Sequence, residues 1–281
     1  NIALILATGG TGLVKAAYSS GNPAIGVGPG NVPVFIDVSA DVPFAVENII
    51  ASKTFDNGTI CASEQAIVVE DMIADRVIRA FKKQKCYFMS AEETALVEKV
   101  AMNLTTMSMS AEIVGQSAET IATKAGITVP AGTKILIAQL DKVGREAPLS
   151  HEVLAPILAF YVVKNRNAAI NTCLELNYLG GISHSAGIYA NDEEVIAQYS
   201  QLINAGRVVV NTPTSQGAVG GMFNNLVPSL TLGCGTGGKN ITTENITARH
   251  LINVQRVCRR RLNHKFLDAN PYIYLDADMK E

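Results

Sequence analysis

Cys61 stands in a polar loop, Phe55-Asp56-Asn57-Gly58-Thr59-Ile60-Cys61-Ala62-Ser63-Glu64-Gln65, between the end of a helix-like segment and an apolar run. The thiolate is the reactive form of cysteine, and such a loop can expose a sulfur and surround it with backbone N–H groups. The spacing offers a nucleophile; an inert buried thiol is the alternative. His184 follows two glycines in Gly180-Gly181-Ile182-Ser183-His184-Ser185, at the mouth of an apolar strand. An imidazole there can reach a pocket and move a proton near neutral pH, unless it is a satisfied surface residue.

Two glycine turns suggest a ligand. Thr8-Gly9-Gly10-Thr11-Gly12 links a strand to a helix, so its N–H groups, free of side-chain bulk, suit a pyrophosphate. Gly26-Val27-Gly28-Pro29-Gly30-Asn31 either admits a ligand close to the backbone or simply turns the chain. In Ser150-His151-Glu152-Val153-Leu154-Ala155-Pro156, Glu152 has the chemistry to accept hydrogen bonds from ribose hydroxyls, or to cap and face solvent. Gly233-Cys234-Gly235-Thr236-Gly237-Gly238-Lys239-Asn240 matches G-x-x-x-x-G-K, but Asn240 replaces the hydroxyl residue that holds Mg²⁺, which argues against triphosphate hydrolysis.

The elements that must position these residues alternate. Val- and Ile-rich runs at 2–7, 24–27, 34–37, 66–70, 112–114, 135–139, 157–163, 185–189 and 208–211 predict strands. Between them, 11–18, a segment capped by Asp41, 72–83, 91–102, 117–124, 167–176 and 192–203 predict helices. That rhythm predicts an α/β fold with a largely parallel sheet. Residues 211–240 are glycine-rich and too long for an idle connection, so a binding loop is expected there.

The 281 residues are 48% apolar and 17% charged, enough to bury a core. A formal charge of -2 supplies no broad cationic field for nucleic acid. The longest apolar stretch, Val153–Val163, contains Pro156 and falls well short of the roughly 20 residues of a membrane span. Five cysteines without a C-x-x-C pair, and four scattered histidines, argue against a disulfide framework or a metal site. A cytoplasmic protein with reduced thiols is expected.

Taken in order, six segments resemble one family. They are LILATGGTGLVKAAYSSGNPAIGVGPGN (Leu4–Asn31), SKTFDNGTICASEQ (Ser52–Gln65), SHEVLAP (Ser150–Pro156), GGISHSAGIY (Gly180–Tyr189), NTPTSQGAVG (Asn211–Gly220) and PSLTLGCGTGG (Pro228–Gly238). They are similar to the CoA-acylating aldehyde dehydrogenases, above all the aldehyde dehydrogenase half of the bifunctional aldehyde–alcohol dehydrogenases. The resemblance runs to about residue 262. It implies an aldehyde dehydrogenase-like three-layer α/β fold, with residues 1–50 as the later part of an NAD-binding domain, 51–245 as the catalytic domain and 246–281 as a return segment.

The resemblance also implies roles. Cys61 is the nucleophile that carries a thioester, and His184 is the pocket histidine that aids proton transfer or the CoA thiol. Gly9 and Gly10 hold the pyrophosphate of NAD, Gly28 lies beside the nicotinamide, Glu152 meets its ribose and Leu232 lines the site. The co-substrates are a short aldehyde, acetaldehyde above all, and CoA, in a homo-oligomer (dimer or filament). Hydrolytic members carry an E-L-G-G segment whose Glu activates water; here Gly26 takes the Glu position, so a thioester would survive for a thiol. The chain opens on Asn1 without a Met, and the family's first strands, with an Asn of the oxyanion hole, are expected ahead of it. Losing one such donor costs about 10²–10³ in rate, so this segment alone is expected to be impaired. A semialdehyde or acyl-phosphate reductase, and a non-catalytic filament module, are the rival readings.

Overall fold

The computed structural model describes residues 3–260. By contacts the chain divides into two units, Asn1–His250 and Leu251–Glu281. The described residues of the second, 251–260, form no helix or strand. Residues 261–281 of the expected return segment lie outside the described residues.

The β-branched runs form strands because such side chains pack well on a pleated surface. β1 (Ile5–Thr8) and β2 (Ala24–Val27) pair in parallel, joined by helix α1 (Thr11–Ser19). Then come β3 (Val32–Ile36), α2 (Val42–Thr54), β4 (Glu64–Glu70), α3 (Asp71–Lys83), β5 (Cys86–Phe88) and α4 (Ala91–Ala101). A small hairpin follows, β6 (Met102–Asn103) with β7 (Ser108–Met109), and then α5 (Ala118–Lys124) and β8 (Ile135–Gln139). The chain continues through β9 (Ile157–Val163), α6 (Arg166–Gly180), β10 (Ala186–Tyr189), α7 (Glu193–Leu202), β11 (Val208–Val210) and α8 (Thr214–Val219).

Seven of the strands make one wholly parallel sheet in the order β11-β10-β3-β4-β9-β8-β5. Alternation along each strand sorts side chains between two helix layers. Val34 and Ile36 of β3, Ile67 and Val69 of β4, and Leu158 and Phe160 of β9 face α2 and α3. Their neighbours Phe35, Ala66, Val68 and Ala159 face α6 and α7. A third cluster packs α4 and α5 on Leu136 and Ala138. The fold is thus the largely parallel α/β arrangement expected from the rhythm of the sequence, in the three layers that the family resemblance implies.

Several details differ. The expected strand at 112–114 is a 3₁₀ turn, Ala111–Ile113. Ser110 caps it by accepting from the Glu112 N–H, and Gly115 at φ +66° turns the chain before any pairing develops. The glycine-rich segment 211–240 contains helix α8. Strand β5 was not anticipated, because three residues carry too little periodicity. Residue 50 lies within α2, and the chain passes from the small sheet to the large one at residues 28–31. Among the described residues no helix is long and apolar enough to cross a membrane.

Candidate active site

Cys61 sits just ahead of β4, at the end of a tight 3₁₀ turn, Phe55–Gly58. Asp56, Asn57 and Gly58 all take positive φ, at 48°, 49° and 75°. Asp, Asn and Gly are the residue types that tolerate this left-handed region, so the local sequence encodes the turn. The Asn57 amide donates to the Gly115 carbonyl at 2.9 Å, and the Thr59 hydroxyl donates to Asp56 Oδ2 at 2.6 Å. The Ser63 N–H closes the loop on the Ile60 carbonyl at 2.9 Å.

The sulfur opens on a cavity of about 380 Å³. Its walls combine the β1–α1 turn (Thr8, Gly9, Gly10), the end of β2 (Gly28, Pro29), the Cys61 loop, Glu152 with Leu154, and Leu230 with Leu232. Six of the seven expected residues therefore converge there: Gly9, Gly10, Gly28, Cys61, Glu152 and Leu232. The cavity lies at the carboxyl ends of β1 and β2, where α/β sheets take ligands. A larger cavity of about 690 Å³, beside Glu98, Asp141, Lys142 and Glu175, contains none of the seven.

His184 is the exception. It is fully buried and stands behind Gly30 rather than in the cavity wall. Its Nδ1 lies 3.1 Å from the Ser185 hydroxyl, and its Nε2 has no partner. Burial, with Arg207 nearby, pushes its pKa down to about 3, so the ring is neutral. A Cβ at Gly30 would collide with the Cys61 carbonyl and press on this ring, so only glycine fits between them.

Electrostatics set the resting state. Burial, reinforced by Glu152, pushes the Cys61 thiol up to about 12, and it is protonated at neutral pH. Burial also raises Glu152 to about 7, although its Oε1 accepts the Gly30 N–H at 2.9 Å. Lys53, buried under the site, is pushed down to about 7 by the same desolvation.

Two further residues of the site are Lys53 and Arg207. Lys53 had a signal, since it lies in phase with Val46, Ile49 and Ile50 on the apolar face of α2. Arg207 had none. It donates to the carbonyls of His184, Gly233 and Thr243 at 3.1, 2.6 and 2.9 Å, tying the loop after Leu232 to the start of β10. The G-x-x-x-x-G-K match closes on itself: Cys234 N–H reaches Asn240 Oδ1, Gly235 N–H reaches Thr242 O, and Asn240 N–H reaches Gly235 O. Those donors are spent on neighbouring protein acceptors.

At Gly26, where the resemblance puts the water-activating Glu of hydrolytic members, a Cβ would press on Val14 and Tyr18 of α1 at 2.8 Å. Gly28 and Pro29 line the cavity at the end of β2, and the carboxyl group in that lining is Glu152.

Comparison with known proteins gives this site its context. A model of the aldehyde dehydrogenase family matches residues 1–224. The chain belongs to that family. Within the aldehyde dehydrogenases, a solved acetylating aldehyde dehydrogenase from Geobacillus thermoglucosidasius is 49% identical, with a TM-score of 0.86 over 92% of this chain and 57% of that one. The aldehyde-alcohol dehydrogenase of Streptococcus pneumoniae is 40% identical over 99% of this chain and 32% of its own length. A Rhodopseudomonas palustris propionaldehyde dehydrogenase with bound CoA and an acylated cysteine is 28% identical, with a TM-score of 0.75 over 86% of this chain and 54% of that one. The chain spans about a third of the length of the curated aldehyde-alcohol dehydrogenases it matches.

Proposed function

We propose that this aldehyde dehydrogenase interconverts a short aldehyde and its acyl-CoA, with NAD as hydride acceptor and Cys61 as the acyl carrier. The observation that carries the reading is the meeting of Cys61, Glu152 and two glycine turns in one cavity. The relative with bound CoA and an acylated cysteine supports the thioester half.

The residues fit a dinucleotide. A Cβ at Gly10 or Gly28 would meet nothing within 4 Å, so the turns leave room beside their backbone. Gly10 is also the N-cap of α1, where N–H groups await an anion. Gly9 and Gly10 would hold the pyrophosphate, Gly28 the nicotinamide and Glu152 its ribose. When bound, NAD⁺ supplies the hydride acceptor and a positive ring that favours a neighbouring thiolate.

Cys61 Sγ adds to the aldehyde carbon as its proton leaves, giving a thiohemiacetal. Departure of the hydride from that carbon leaves a thioester on Cys61. The sulfur of CoA then attacks the acyl carbon, the Cys61 C–S bond breaks, and the free thiol returns. Leu232 and Leu154 keep the acyl group in an apolar wall. His184 supports Gly30 and the Cys61 loop from behind, and a proton role for it requires the ring to reach the cavity.

The five cysteines are free thiols, as in a reducing compartment, which suits a cytosolic enzyme. A homo-oligomer is part of the same proposal, and light scattering tests it. In the native enzyme, aldehyde should reduce NAD⁺ only when CoA is present, and phosphate should not replace CoA. A Cys61→Ser variant with undiminished turnover would show the assignment to be wrong.

A further inference from the structure

Asn245 is buried in the segment that follows the glycine-rich loop, directly opposite Leu232 in an antiparallel bridge. Residues opposed in this way share one face, so the Asn245 amide and the Leu232 side chain stand side by side against α8. Nδ2 of Asn245 donates to the carbonyls of Ala218, Val219 and Val227, at 3.0, 3.2 and 2.9 Å. Its two N–H groups are thus shared among three acceptors, two in the last turn of α8 and one near the far end of the loop 220–228. The Ser229 N–H closes the same loop on the Val219 carbonyl at 3.0 Å. Little apolar burial holds the loop itself, since Met222, Phe223 and Val227 are exposed. Hydrogen bonds at its base do so instead, with Asn224 adding one to the Gly217 carbonyl at 2.8 Å.

Both ends of this loop carry wall residues of the Cys61 cavity. Val219 precedes it, Leu230 and Leu232 follow it, and all three line the cavity together with Ile60, Met109 and Leu154. Leu232 also packs with Ala218, Ile60 and Cys61, so the wall reaches the sulfur itself. We propose that Asn245 is a positioning residue that sets the chain length of the aldehyde: by fixing Val219, Leu230 and Leu232 relative to one another, it confines the acyl space to short chains. The inference rests on the reading of this cavity as the place where Cys61 carries the acyl group. Without the amide, carbonyls at the base of the loop lose a buried donor, and they regain one by turning toward water. The wall moves with them. A displaced wall admits a longer chain, and one methylene in an apolar pocket is worth about tenfold or more in discrimination.

The test is the ratio of kcat/KM for butyraldehyde to that for acetaldehyde, read as CoA-dependent NADH formation by the native enzyme. A purely structural role would lower the active fraction and leave this ratio alone. Asn245→Ala should raise the ratio about tenfold. Val219→Ala, which widens the wall directly, should raise it too. The double variant should gain less than the product of the two effects, because both act on one wall. An Asn245→Ala enzyme with the wild-type ratio overturns the proposal, and so does a double variant whose effects simply multiply. Should Asn245→Ala fail to fold, Asn245→Ser, which keeps one donor, carries the comparison, and an unchanged ratio there is equally fatal. A wild type without CoA-dependent turnover overturns this inference and the reading of the cavity together. A wild type that turns over, with a ratio indifferent to position 245, overturns this inference alone.

Discussion

Replacing Gly30 with alanine adds one methyl group at the most crowded point of the site. The new Cβ would collide with the Cys61 carbonyl and lie 3.1 and 3.2 Å from Nδ1 and Cγ of His184. Neither neighbour yields easily, since one is backbone in the turn that the Ser63 N–H closes on the Ile60 carbonyl and the other is a fully buried ring. Overpacking of this kind costs about 1–3 kcal/mol. At about 2–4 °C per kcal/mol for a domain of this size, the melting temperature should fall by about 2–12 °C. The Cys61 loop must shift to relieve the contact, and a displacement approaching 1 Å costs on the order of 10²-fold in turnover. Gly28→Ala is the matched control, because its Cβ meets nothing within 4 Å; it should keep the melting temperature and weaken NAD binding. Differential scanning calorimetry and the Cys61 alkylation rate read both effects. A Gly30→Ala protein that melts and alkylates like the wild type would refute the close approach of Gly30, Cys61 and His184.

Three further outcomes follow from the same geometry. His184 is neutral when folded but takes a proton when unfolded between its ordinary 6.5 and about 3, so stability falls as pH drops through that window. His184→Asn should flatten the acid limb of urea-denaturation stability by about 1.4 kcal/mol per pH unit, and an unchanged slope would contradict the buried neutral ring. Arg207→Met strips the carbonyls of His184, Gly233 and Thr243 of a charged donor. It should cost about 3 kcal/mol or more in chemical denaturation and expose the segment around residues 233–243 to protease. Asn57→Val places a β-branched residue at φ 49° and removes the bond to Gly115; a loss of about 2 kcal/mol is expected by the same denaturation measurement, with slower Cys61 acylation.

The parts of this molecule legible in its sequence are those encoded locally. Strands such as Ile157–Val163 announce themselves by apolar runs, and the Cys61 turn by Asp56-Asn57-Gly58, whose types suit positive φ. Short or competing signals were misread: Glu112–Val114 has the composition of a strand, but the Ser110 cap and Gly115 bend it into a turn. The chemistry of the site depends on contacts no local pattern carries. Lys53 meets Val153 across 100 positions, and Glu152 meets Gly30 across 122. The tight packing of Gly26 on Val14 and Tyr18 is likewise a contact of the folded chain. His184 sits on the right loop for a pocket, yet the close approach of Gly30 puts it behind the cavity wall.

The most direct test of Cys61 as acyl carrier is to incubate the native enzyme with an acyl-CoA, without coenzyme, and weigh its cysteine peptides. Thioester exchange needs only the sulfur and the acyl donor, so the acyl mass should appear on the Cys61 peptide and vanish in Cys61→Ser. An acyl group on Cys234 instead, or on no cysteine at all, would contradict the account.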